Sequence, residues 1–320
     1  MQLRFPTVAT QAFETTAIDS RKADRALLPL SVIVAVRNEE ENLGRCLESL
    51  ADVAEVYVVD SFSTDSTPEI ARSFGAKVIQ FRYEGGWPKK RQWALDTLPL
   101  SYEWVLLLDA DESLTPDLVA EIQNAITNPG IDGYYIGLDM YFLGRQLRHC
   151  GASFYKLSLF RRARGRFECR TADQDTSMCD MEVHEHVIVG GATAKLKNRL
   201  LHHNVCSLSR YIRKHDEYSN WEARVWSEPE GASELMPDLF GSQAQRRRWL
   251  KQKFFRTPGS SVLLFLYRYF VRLGFLDGRP GLIYCAFQAI QCFQVKAKLY
   301  EMNLPAPGLS LIEGNNHVRH

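Results

Sequence analysis

The run Trp104-Val-Leu-Leu-Leu-Asp-Ala-Asp-Glu112 constrains the fold more than any other segment, because an unbroken apolar stretch stops abruptly at carboxylates. A strand that reads as continuously hydrophobic is buried on both faces, which is the condition of a central strand in a parallel sheet. Such sheets gather ligands beyond the carboxyl ends of their strands. Asp109 and Asp111 are therefore expected at the mouth of a site. Side chains at i and i+2 share a face while the chain stays extended, so both carboxylates are expected to approach one divalent cation or one polyol.

Residues 30–126 alternate strand and helix signals, as a parallel α/β sheet requires. The runs 30–36, 55–60, 76–81 and 104–108 read as strands. Asn38 is expected to cap a helix whose Leu43, Leu47 and Leu50 share one face. Thr67-Pro68 and Thr115-Pro116 each pair an N-cap threonine with proline at the first helical position, and Gly75 is expected to stop the first of these helices. Residues 88–96 read as a short helix. Beyond residue 130 the alternation lapses: 134–142 and 154–161 read as strands, 182–189 alternates at period two, 208–226 reads as a helix and 227–241 as a loop. The organisation expected is an N-terminal extension over 1–29, an α/β domain over 30–205 and a helical C-terminal region over 206–320.

The net charge of +1 argues against a nucleic-acid partner. Seven cysteines, odd in number and without a C-x-x-C pair, argue against a disulfide framework and fit a reducing cytoplasmic setting. No secretory signal is legible in residues 1–29, and no uncharged apolar run reaches spanning length. The last third differs in texture. Residues 243–256 carry six basic residues and no acidic one, interleaved with Trp249, Phe254 and Phe255, and two apolar segments, 261–275 and 281–295, follow. Basic residues beside aromatics and apolar helices too short to span point to contact between residues 243–303 and the inner face of the cytoplasmic membrane.

Three motifs close successive strands: Val32-Ile-Val-Ala-Val-Arg-Asn-Glu39, Val58-Val-Asp-Ser-Phe-Ser-Thr-Asp65 and Leu108-Asp-Ala-Asp111. Together they resemble the inverting family 2 glycosyltransferases, and Lys89-Lys-Arg-Gln92, Val183-His-Glu-His-Val187 and Gly274-Phe-Leu-Asp-Gly278 resemble their lipopolysaccharide-core β-glucosyltransferase and exopolysaccharide branch. The resemblance implies a GT-A type α/β domain with a mostly parallel central sheet that binds a nucleotide sugar, here a UDP-sugar. It implies donor contacts from Val36, Arg37, Asn38, Glu39, Asp60, Ser61, Asp65, Lys90, Arg91, Asp109 and Ala110. Ser61 stands where the family often has a second Asp. It further implies Mg²⁺ or Mn²⁺ on Asp111 and Asp109, bridging the diphosphate, and a glycan or lipid-linked acceptor.

Inverting transfer needs a base for the acceptor hydroxyl. Glu185 is expected in that role by position, with His184 and His186 flanking it; Asp180 and Glu182 compete. His184 is alternatively a further metal ligand. Gln245-Arg-Arg-Arg-Trp249 matches the Q-x-x-R-W of processive synthases, but no membrane-spanning run accompanies it. Two other readings stay open at this point. A sugar-phosphate nucleotidyltransferase would want a glycine-rich basic loop where this chain has Arg37-Asn-Glu-Glu-Glu41, and a non-catalytic scaffold would not need Asp109 and Asp111.

Overall fold

The computed structural model describes residues 27–170, 180–182, 185–204, 207–227, 236–241 and 243–304. His184 and nearly all of the 1–29 extension lie outside the described residues. The chain runs β1 (Leu28–Val36), α1 (Glu40–Glu48), β2 (Val53–Asp60), α2 (Thr67–Ser73), β3 (Lys77–Gln80), α3 (Lys90–Thr97), β4 (Trp104–Asp109), β5 (Glu112–Ser113) and α4 (Pro116–Ala125). It continues through β6 (Gly133–Phe142), β7 (Arg145–Gln146), β8 (Tyr155–Arg161), β9 (Gly165–Phe167), β10 (Val187–Val189) and β11 (Thr193–Asn204). Helices α5 (Leu208–Ser227), α6 (Gln243–Arg256), α7 (Ser260–Leu266) and α8 (Gly278–Met302) complete it, with a π turn at Tyr267–Val271 and a 3₁₀ turn at Gly274–Asp277 before α8.

The main sheet has the order β3-β2-β1-β4-β8-β6-β11-β5, with β7 beside β6. Strands β3, β2, β1 and β4 are parallel, as are β6 and β11, whereas β8 runs antiparallel between β4 and β6. The sheet is thus α/β and mostly parallel. Its apolar runs divide by parity. Val32, Val34, Leu106 and Leu108 pack on one side with Leu43 and Leu47 of α1 and Leu118 and Ile122 of α4. Ile33, Val59, Val105 and Leu107 pack on the other with Ala94 and Leu95 of α3. Each fully buried Val, Leu or Ile contributes about 1.5–3 kcal/mol, so burial on both faces fixes these strands at the centre.

Several local expectations shift. Thr115 caps α4, accepting from the Leu118 N–H at 3.2 Å. Two helices earlier, at α2, the cap is Ser66, because the Thr67 hydroxyl instead accepts from the Glu39 N–H at 2.8 Å. Gly75 closes α2 at φ +75°, a conformation glycine adopts without strain. Asn38 is no cap. It takes φ +54° and its side-chain Oδ1 accepts from the Thr64 N–H at 2.8 Å, joining the loops after β1 and β2, while Glu39 occupies the N-cap position of α1. Helix α3 begins only at Lys90. Of the period-two segment 182–189, only Val187–Val189 forms a strand, paired antiparallel with β9, and the described residues before it are irregular.

The helical region packs back onto the sheet. Phe142, Leu147 and Cys150 share a buried cluster with Tyr211 of α5 and Tyr284 and Cys285 of α8. Among the described residues, no helix is long and apolar enough to cross a membrane.

Candidate active site

The carboxyl ends of β1, β2 and β4 converge, but their carboxylates do different work. Asp60 is fully buried; it accepts from the Ser63 N–H at 3.2 Å and from Gln80 Nε2 at 2.9 Å, tying its own turn to β3. Asp65 accepts from the Thr67 N–H at 3.0 Å and the Glu40 N–H at 3.3 Å, so it fastens α2 to the start of α1. Glu39 accepts from Asn42 at 2.8 Å and pairs with Arg210 of α5 at 3.0 Å. Burial nonetheless leaves its carboxyl pKa raised, against the lowering effect of Lys214. Arg37 and Asn38 remain exposed at the rim.

The shared face expected for Asp109 and Asp111 does not form, because β4 ends at Asp109 and the chain turns at Ala110-Asp111. Asp109 pairs with Arg91 and, at 3.3 Å, with Lys156. Burial raises its pKa, but Arg91 and then Lys156 overcome that and hold it far below the usual carboxylate range. Lys156 also donates to both Glu112 oxygens at 2.7 Å, and Glu112 accepts from the Asp109 N–H at 3.0 Å. Asp111 turns to the other side, where its Oδ2 lies 3.4 Å from His202 Nε2 on β11. The adjoining His203 N–H donates to the Asp111 carbonyl at 2.8 Å, and its ring stacks on Tyr141 at 4.4 Å.

His202 Nδ1 is buried without a hydrogen-bond partner among the described residues. An imidazole and a carboxylate placed together in this way are donors that a divalent cation accepts. No group of three or more His, Cys, Asp or Glu side chains with metal-site spacing occurs among the described residues. Mg²⁺ sites commonly use only one or two protein carboxylates and complete their shell with substrate phosphates and water. The Asp111–His202 pair therefore fits a cation held jointly with a diphosphate, and Asp109, already engaged by two cations, fits it less well.

Helix α5 brings cations that were not singled out from the sequence. Arg210 donates to the Asn38 carbonyl and pairs with Glu39. The Lys214 pKa is pushed well up, by Tyr218 first, against burial, and then by Asp111, Glu39 and Asp109, which places its ammonium in the field of the strand-end acids. Lys90 and Arg91 instead hold structure: Lys90 is buried, donates to the Val36 carbonyl at 2.9 Å and pairs with Asp180 at 3.0 Å, while Arg91 donates to the Glu182 carbonyl at 2.8 Å. Ser61 donates to the same Asp180 carboxylate, so the segment at 180 is laced to the ends of β1 and β2.

Beside Asp109 opens a cleft of about 410 Å³ whose walls include Tyr135, Tyr155, Lys156, Glu185, Tyr218 and Arg247. Glu185 is 6% exposed and its carboxylate lies 3.0 Å from Lys89 Nζ; both side chains are fully buried. The Lys89 ammonium in turn sits 4.9 Å from the Trp221 ring of α5. The competitors for the base are otherwise engaged, since Asp180 holds Lys90 and Ser61, and Glu182 accepts from the N–H groups of Arg91 and Gln92 at the start of α3.

His186 does not flank Glu185 as a strand neighbour. It precedes β10 and binds Glu168 through both its N–H and Nδ1 at 3.0 Å. Glu168, fully buried, also receives a two-pronged contact from Arg248 of α6 at 3.0 and 2.6 Å. Burial pushes its pKa up, yet the His186 and Arg248 hydrogen bonds outweigh this and lower it to about 2.

Residues 31–187 match the family model described as glycosyl transferase family 2. The chain carries a glycosyl transferase family 2 domain. This disfavours the nucleotidyltransferase reading, and the mostly parallel α/β sheet with its C-terminal helices agrees with the GT-A type architecture expected of the domain. The chain is 29% identical over 290 residues to the lipopolysaccharide core biosynthesis glycosyltransferase LpsC of Rhizobium meliloti, an alignment that covers 86% of this chain and 93% of that protein. It is 26% identical over 296 residues to an uncharacterized glycosyltransferase of Rickettsia typhi, covering 91% and 92% of the two chains. Among solved structures, the glucosyl-3-phosphoglycerate synthase of Mycobacterium tuberculosis in complex with Mn²⁺, UDP and glucosyl-3-phosphoglycerate superposes with a TM-score of 0.39 at 17% identity, covering 70% of this chain and 88% of that one.

Proposed function

We propose that this glycosyltransferase is metal-dependent and inverting, and that it moves a hexose from a UDP-sugar to a hydroxyl of a glycan or glycolipid in bacterial lipopolysaccharide or other cell-surface polysaccharide synthesis. The observation that carries this reading is the pairing of Asp111 with His202, two residues along from Asp109, which itself lines a cleft that holds a buried carboxylate, Glu185. The name of the Rhizobium meliloti relative supports the lipopolysaccharide assignment. In this scheme Asp111 and His202 hold Mg²⁺ or Mn²⁺, which supplies Lewis-acid stabilisation to the departing diphosphate. Lys214 and Arg210 add positive charge on the same side. Glu185 accepts the proton of the acceptor hydroxyl as its oxygen attacks the anomeric carbon opposite the leaving diphosphate, and the anomeric C–O bond breaks. Lys89 offsets the charge that Glu185 would otherwise bury alone. Asn38, Glu39 and Arg37 shape the rim where the nucleoside enters.

Calorimetry of the full chain with UDP, with and without Mn²⁺, tests the reading. Binding that strengthens with Mn²⁺ is expected; absence of any heat of binding would favour the scaffold alternative.

The acceptor is held at the inner surface of the cytoplasmic membrane by a narrower element than residues 243–303. Helix α6 turns Arg248 and Phe255 inward, Phe255 stacking on Trp226 at 4.7 Å. The exposed apolar side chains cluster after it: Val262, Leu266, Phe270, Val271, Phe275 and Leu276. Exposed Arg145, Arg148, Arg272 and Arg279 accompany them, and Asp277, the sole acid between 243 and 300, is buried against the Arg148 and His149 N–H groups. An apolar face with a basic border suits an anionic bilayer. The triple variant Val262→Ser, Phe270→Ser, Val271→Ser is expected to bind phosphatidylglycerol vesicles at least about tenfold more weakly in sedimentation, since each buried apolar side chain is worth about 1.5–3 kcal/mol. Unchanged binding would remove this face from consideration.

A further inference from the structure

The charged groups lining the cleft pair off with one exception. Asp109 is matched by Arg91 and Lys156, Glu185 by Lys89, and His186 by Glu168, while Glu182 accepts two backbone N–H groups. Arg247 enters the cleft wall from α6 and stays open to solvent, and no carboxylate lies within ion-pair distance of it among the described residues. Its neighbour in charge is the Tyr135 hydroxyl, and partial desolvation at the cleft wall lowers its pKa. Next along the helix, Arg248 turns to Glu168, so α6 is anchored in the register that points Arg247 into the cleft.

Five aromatic rings share the wall with aliphatic side chains: Tyr135, Phe154, Tyr155, Phe167 and Tyr218. Such rings offer flat apolar faces to the C–H side of a sugar ring, and Tyr adds a hydroxyl for its polar edge. A guanidinium presents a planar fork that matches a carboxylate or a phosphate, and an unpaired one in a partly desolvated cleft favours an anionic ligand.

We propose that Arg247 reads an anionic substituent, a carboxylate or a phosphate, on the acceptor sugar while the ring lies among the cleft aromatics and a hydroxyl reaches Glu185. The acceptor is then an acidic or phosphorylated sugar residue rather than a neutral one. This rests on the glycosyltransferase reading of the cleft, and the test separates the two. Glucose, glucuronate and glucose 6-phosphate are titrated into the full chain, with and without UDP and Mn²⁺, and UDP binding is measured in parallel.

The wild type is expected to prefer at least one anionic sugar over glucose by about tenfold, the order lost with one charge-assisted hydrogen bond. Arg247→Gln should abolish that preference with UDP binding intact, and Arg246→Gln, one residue earlier on the same helix, should keep it. A preference for glucuronate alone assigns a carboxylate, and for glucose 6-phosphate alone a phosphate. Equal binding of all three sugars by the wild type, or an undiminished preference in Arg247→Gln, overturns the proposal. Failure of UDP to bind would count against the donor reading without altering the outcome for Arg247.

Discussion

Asp111→Asn is expected to lower UDP-sugar turnover by about 100-fold or more while leaving the unfolding midpoint nearly unchanged. The substitution keeps shape and removes charge. The Asp111 side chain is 11% exposed, and its nearest side-chain partner is His202 Nε2 at 3.4 Å, so little of the fold depends on it. What disappears is an anionic donor facing His202 and Lys214. Asp109 makes the contrasting case. Neutralising it would strip charge from a half-buried cluster with Arg91, Lys156 and Glu112 and leave Arg91 without its carboxylate, so a loss of stability should accompany it. Loss of activity in Asp109→Asn would thus confound chemistry with folding, whereas the Asp111 variant separates them. Turnover, thermal unfolding and Mn²⁺-dependent UDP binding measured on one preparation decide it. Near-normal turnover would remove Asp111 from the proposed metal site.

Glu185→Gln is expected to keep donor binding and lose transfer by about 10²–10⁴-fold, the range for removal of a general base. The variant leaves the buried Lys89 without its countercharge, so some loss of stability should accompany it. UDP affinity is the internal control, because Glu185 lines the cleft and not the Asp111–His202 pair. A folded protein that binds UDP but does not transfer identifies the base. If transfer persists within about threefold of wild type, the proton is taken elsewhere, and the loop residues near Glu185 become the next candidates.

The parts of the fold that could be read from sequence are those governed by neighbours along the chain. The parity of Val32, Val34, Leu106 and Leu108 against Ile33, Val105 and Leu107 forecasts burial on both faces of the sheet, and Thr115 forecasts the start of α4. Local rules fail where a distant group competes for the same atoms. Thr67 gives up its capping role to bond Glu39, and Asn38 leaves the helical region to hold Thr64. The site was legible at its strand-end acids but not in its division of labour. Nothing local to Asp109 indicates that Arg91 and Lys156 will claim it. His202 meets Asp111 only because β11 pairs with β5, 88 to 90 positions away in sequence by that register, and the run His202-His203 at a strand end was its one sequence signal. Arg210 and Lys214 depend on how α5 is rotated against the sheet, which helical periodicity alone leaves undetermined.

The Arg248–Glu168 contact has a bearing on how such enzymes can be recombined. It ties a helix near residue 250 to the end of the β9–β10 ribbon next to Glu185, so the region carrying the exposed apolar face also buttresses the segment proposed for proton transfer. A hybrid that joins the first 205 residues to the helices of another glycosyltransferase inherits a buried carboxylate without a guarantee of its guanidinium. Acceptor choice and catalytic competence are therefore not separately transplantable here; an exchange has to carry Glu168, His186 and Arg248 together.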